Sequence, residues 1–179
     1  MSEPHFEQAL LPSGWSRDVR VSTVGDGIFD APSYRGSGDQ FGVGSDSKVL
    51  IGVADELRQL KYSQRLVQRA RNVMATPQAT STARALFDGA LAAGEQALGD
   101  GGGIAPGLAA DIVSLDAESL ALAGRSGDAI LDSWIPGNAR RLVDCVWTSG
   151  RKVVTRGRHH QAESVAAVFR RRLEGLRTE

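Results

Sequence analysis

GVGSDSKV, residues Gly42 to Val49, runs an apolar strand end into a glycine, then an acidic residue, then a helix start. In a βα unit that order sets Asp46 at the C-terminal end of a strand, the rim where barrel enzymes keep their catalytic groups. A carboxylate there can bind a metal and accept a proton from metal-bound water. The plainer reading is that Asp46 or Ser47 caps the following helix, and the segment by itself favours the cap. A phosphate cradle is excluded, because the glycine spacing is wrong for a Walker loop.

Downstream, Leu50, Val53, Leu57, Leu60, Val67, Ala70 and Val73 keep the three- and four-residue spacing of one helix face. The other face carries Arg58, Lys61, Arg65, Arg69 and Arg71 and reads as solvated. Pro77 breaks this helix, and a second follows from Ser81 to Leu98, closed by Gly99. Upstream, Gly25 to Gly44 is dense in glycine and reads as loop, with a short strand at Gln40 to Val43. Phe6 to Val24 reads as two strands about a Pro12-Ser13-Gly14 turn.

Beyond the glycines at 101–103 the texture changes. DIVSLD from Asp111, RLVDCVWTSG from Arg141 and RKVVTRG from Arg151 read as strands, the last two a hairpin about Ser149-Gly150. A final helix, Ala162 to Leu176, sets Val165, Val168, Phe169 and Leu173 on one side. Strands, loop, two helices, strands and helix make an α+β pattern, not a series of βα units.

The chain has 179 residues, enough for one ordinary domain or two small ones. It is 41% hydrophobic and 23% charged, as a globular protein is. With 21 basic and 21 acidic residues the net charge is zero, which removes the electrostatic case for nucleic acid. MSEPHFEQAL shows no secretory pattern and no apolar run reaches the length of a membrane span, so the expected location is the cytoplasm.

Histidine is scarce: His5, His159 and His160. A catalytic zinc takes three protein ligands, mostly histidine, plus water. His159 and His160 are neighbours, so on a strand they point to opposite faces. No G-x-S-x-G elbow supports a serine nucleophile. Trp134 and Trp147 read as packing residues, and Cys145, alternating with Val143 and Trp147, as a buried structural thiol.

Several phrases together resemble a known family. IAPGLAADIVSLD (Ile104 to Asp116) and LVDCVWTSGRKVV (Leu142 to Val154) resemble the strands with which amidohydrolases complete a small β-sandwich. FEQALLPSGWSRDVRV (Phe6 to Val21) resembles the amino-terminal strands of that sandwich. GDGIF, FGVGSDS, DELRQLKYSQRL and RARNVMAT resemble the formimidoylglutamate deiminases in particular. These hydrolyse N-formimidoyl-L-glutamate to N-formyl-L-glutamate and ammonia in histidine breakdown.

The resemblance implies a composite β-sandwich of N- and C-terminal strands, with a helical remnant of a (β/α)8 hydrolase barrel. Its divisions would be 1–24 and 104–160 for sandwich strands, 25–103 for the last barrel strand and helices, and 161–179 for the terminal helix. It assigns Asp46 both the catalytic and the metal role, with Ser45 and Ser47 orienting its carboxylate. A divalent metal, zinc in the family, and a small-molecule substrate come with it. The family's metal histidines have no counterpart, and Lys48 stands where Asn or His is expected. A seam falls near Ser22 to Gly25, and most of the barrel is absent. The implied consequence is a chain without deiminase activity, either a shortened enzyme or a non-catalytic structural module. Apolar helix faces left without barrel strands favour homo-oligomerisation.

Overall fold

The structure, a computed structural model, describes residues 5–11, 14–20, 28–37, 41–45, 51–77, 79–99, 103–137 and 141–177. The chain divides into two compact units, Met1–Gly102 with Gly124–Ala139, and Gly103–Ala123 with Arg140–Glu179.

In the first unit, β1 (His5–Leu11) and β2 (Gly14–Arg20) form the expected antiparallel hairpin, with His5 opposite Arg20 and Leu11 opposite Gly14. The glycine-rich stretch expected as loop instead holds a short helix, α1 (Ala31–Gly36). Its start is chemically specified. Asp30 accepts from the Ser33 N–H at 3.3 Å and the Ser33 hydroxyl at 2.7 Å, and Pro32 sits in the first turn, where no N–H is missed.

Residues 41–45 form no strand, against the expectation for Gln40 to Val43. A strand needs a ladder partner, and among the described residues nothing pairs with this segment. α2 (Val53–Gln68) is shorter than the sequence periodicity suggests. Gly52 before it is extended, Arg69 after it turns left-handed at φ 50°, and the apolar positions continue to Met74 through turns. Asp55 and Glu56 sit in the first turn, where carboxylates oppose the helix dipole favourably.

α3 (Thr82–Leu98) starts and ends as expected. Ser81 Oγ accepts from the Arg84 N–H at 3.0 Å, and Gly99, at φ 74°, returns its N–H to the Glu95 carbonyl. α4 (Asp128–Trp134) was not anticipated; it is short, and its stretch lacks a long periodic face. Ala31, Phe41, Leu57, Met74, Ala83, Leu86 and Ile135 form the buried core, flanked by Val43, Leu60, Phe87 and Trp134. Each large side chain buried there contributes about 1.5–3 kcal/mol.

The second unit holds β3 (Ile112–Leu115), β4 (Val143–Thr148), β5 (Arg151–Thr155) and β6 (Arg158–His159), antiparallel in chain order. Ser149 and Gly150, at φ 48° and 76°, make the β4–β5 turn, a left-handed pair that matches strand twist. Leu142 and Cys145 are its buried hydrophobic side chains. α5 (Ala162–Leu176) follows, with the bounds its periodicity predicts. The four-stranded sheet and the β1–β2 hairpin are separate ladders among the described residues. The α+β class stands.

Candidate functional site

The stretch leading to Asp46 is anchored by its aromatic residue. Phe41 is buried, and a Cβ built on Gly89 would come 2.9 Å from Phe41 Cε1, so the ring lies against the glycine of α3. Val43 packs on the same core. Asp46 itself, with Ser47, Lys48 and the expected helix start, lies outside the described residues. So does the seam at Ser22 to Gly25.

Beside Phe41 to Gly44 opens a cavity of about 240 Å³, walled by Ile28, Phe29, Leu60 and the α2 side chains Glu56, Gln59 and Ser63. Glu56 is only 7% exposed and is the acidic group in this wall. Apolar periodicity does not reveal a carboxylate on the same helix. The signal was a carboxylate beside Leu57, with Leu60 and Gln64 on the same face.

Polar side chains hold the frame around the cavity. Gln64, 1% exposed, donates to the Phe29 carbonyl at 2.6 Å and accepts from the Ala31 N–H at 3.2 Å, tying α1 to α2. Arg58 donates to the Ile135 carbonyl at 2.7 Å and the Trp134 carbonyl at 3.2 Å, so it closes the C-terminus of α4. Its other nitrogen meets Asp55 at 2.5 Å. Asp132 of α4 accepts from Ser81 Oγ at 2.9 Å and the Ala83 N–H at 3.3 Å, so it caps α3.

Two of the histidines belong to the second unit. His159 and His160 are exposed in the second unit, His159 Nδ1 accepting the Gln161 N–H and His160 Nε2 lying 3.2 Å from Thr155 Oγ1. Among the described residues no group of three or more His, Cys, Asp or Glu is placed to hold a metal ion. Those residues therefore do not fit a catalytic divalent metal, which needs three protein ligands around an open position. Trp134 packs on the core, 6.4 Å from the Phe87 ring, and Trp147 lies under Lys152 Nζ at 4.7 Å. Cys145 is buried, its N–H bonded to Ser114 Oγ. No helix among the described residues is long and apolar enough to cross a membrane.

Two known proteins are similar to the chain. The chain is 40% identical, over 172 residues and 94% of its own length, to the formimidoylglutamate deiminase of Pseudomonas aeruginosa. Its fold matches a crystal structure of an amidohydrolase from Brucella melitensis, with a TM-score of 0.75 and 47% identity over 86% of the chain. The chain is homologous to part of an amidohydrolase. It spans 38% of the length of the Pseudomonas deiminase and 34% of the Brucella amidohydrolase. No protein-family model matches it. The partial coverage of both proteins fits a chain that carries only some of their elements.

Proposed function

We propose that the chain carries the sequence segment of the last barrel strand, with outer helices and sandwich strands, of a formimidoylglutamate deiminase, and that this polypeptide alone performs no deimination. The observation that supports the deiminase assignment is 40% identity across 94% of the chain. Support for inactivity comes from the donor set: three histidines in the sequence, and no converging group among the described residues. In this reading the whole enzyme hydrolyses N-formimidoyl-L-glutamate to N-formyl-L-glutamate and ammonia in the cytoplasm, as a step of histidine degradation. Asp46 is the catalytic and metal-binding carboxylate, the metal being zinc. One carboxylate supplies a single ligand, short of the three a catalytic site needs.

The same reading makes β1–β2 and β3–β6 two parts of one sandwich, with 1–24 and 104–160 contributing strands, 25–103 the barrel part and 161–179 the closing helix. The four-stranded sheet has few buried side chains of its own. Three or more strands need a covered apolar face for independent stability.

The test is ammonia release from N-formimidoyl-L-glutamate by the purified chain, with and without added zinc, beside Asp46→Ala. Background release in all four samples is expected. Release that depends on Asp46 would show a working site and overturn the inactive reading. The alternative, a structural or interaction module, shares the null result and is separated by whether the chain binds a partner.

A further inference from the structure

Arg141 and Arg156 stand at backbone positions that do not favour arginine. Their φ angles are 64° and 51°, in the left-handed region that glycine or asparagine enters at less cost. Arg156 and Gly157, the latter at φ 69°, make the β5–β6 turn. Two backbone bonds gather these positions. The Gly157 N–H donates to the Asp144 carbonyl at 2.8 Å, and the Asp116 N–H donates to the Leu142 carbonyl at 2.7 Å. A Cβ on Gly157 would come 3.0 Å from the Val143 carbonyl oxygen, so the turn lies tight on β4. The result is a cavity of about 940 Å³, wholly within the second unit, walled by Arg141, Arg156, Arg158, Asp116 and Asp144. Arg158 is held by Glu163 at 2.9 Å. Among the described residues no carboxylate lies within ion-pair distance of Arg141 or Arg156. Asp116 Oδ1 accepts from the Glu118 N–H at 3.1 Å and Asp144 Oδ2 from the Cys145 thiol at 3.3 Å, which leaves one oxygen of each carboxylate for a ligand.

We propose that this cavity binds a phosphate ester of a small hydroxyl-bearing molecule, such as a sugar phosphate. Arg141 and Arg156 hold the phosphate, and Asp116 and Asp144 accept from the hydroxyls. A guanidinium is a planar fork that matches phosphate oxygens two at a time. Two such groups offset a phosphate monoester, which carries about −1.5 to −2 at neutral pH, whereas a single carboxylate would leave one of them unanswered. The aspartates disfavour a ligand that is anionic throughout and suit one with hydroxyl donors beside its anion. The volume is that of a small-molecule site, larger than a bare ion needs. At both left-handed positions the backbone asks for a smaller residue, and a ligand contact supplies the reason for an arginine. The proposal is independent of the deiminase reading.

Isothermal titration calorimetry on the full chain, with glucose 6-phosphate, inorganic phosphate and glucose as probes, tests it. Glucose 6-phosphate is expected to bind with a roughly millimolar Kd, inorganic phosphate more weakly, and glucose not at all. Arg141→Gln with Arg156→Gln weakens glucose 6-phosphate by roughly tenfold or more, with circular dichroism showing the chain folded. Arg141→Lys with Arg156→Lys keeps the charge, loses the fork and also weakens binding. No heat from glucose 6-phosphate overturns the proposal, as does binding indifferent to the arginine substitutions. Inorganic phosphate bound as tightly as glucose 6-phosphate overturns the assignment of an ester.

Discussion

Gly89 and Gly94 lie on the same helix and answer to opposite constraints. A side chain at Gly94 meets nothing within 4 Å, whereas one at Gly89 meets the Phe41 ring. Gly94→Ala therefore stabilises the chain by about 0.5–1 kcal/mol, the helix-propensity gain. Gly89→Val costs about 1–3 kcal/mol, because a packed ring has to move. Thermal melts of the two variants read the difference directly. Gln64→Leu strips partners from the Phe29 carbonyl and the Ala31 N–H, and it destabilises by about 1–3 kcal/mol in denaturant titration. Burial, and secondarily Arg65, lower the Lys61 pKa from its ordinary 10.5. The charged form is thus disfavoured in the folded state, a penalty present below the lowered pKa that fades as pH rises through it. Lys61→Met is expected to stabilise at neutral pH and to flatten the alkaline rise in stability. At this scale the sequence showed Cys145 as buried and Trp134 as packing. It hid Glu56 and Gln64, since a polar residue on a buried stripe is recognised only once its partners are known.

Helix ends were legible where side chains specify them. Ser81 and Gly99 mark α3 by capping chemistry, and α5 keeps the bounds its periodicity gives. α2 was overextended because apolar spacing continues past Arg69, where the backbone turns left-handed without a glycine to announce it. α1 starts on Asp30 and Pro32, a capping pair set inside a glycine-dense stretch that reads as loop. α4 is held from outside, by Arg58 on its last carbonyls and by its own Asp132 on α3, which no local pattern reveals. Arg58→Met is expected to loosen α4 and cost about 1.5–3 kcal/mol, with faster amide exchange at the residues following Leu131.

For the whole molecule, the strand and helix order of an α+β chain was readable, and so was kinship with the amidohydrolases, through runs such as GSDS and RARNVMAT. Which elements join into units was not. Residues 124–139 fold with the helices instead of with the strands on either side of them in sequence, a long-range choice made by Trp134 and Ile135 in the core. For a metal site the sequence offers only Asp46, by resemblance and outside the described residues, because a metal centre is assembled from distant segments and one carboxylate motif cannot show whether the others arrive. Bound metal per chain, measured on protein purified without chelators beside Asp46→Ala, tests the account most directly. Neither protein should carry stoichiometric zinc. Near-stoichiometric zinc in the native chain that vanishes in Asp46→Ala would mean a complete site has been assembled, and would contradict the account.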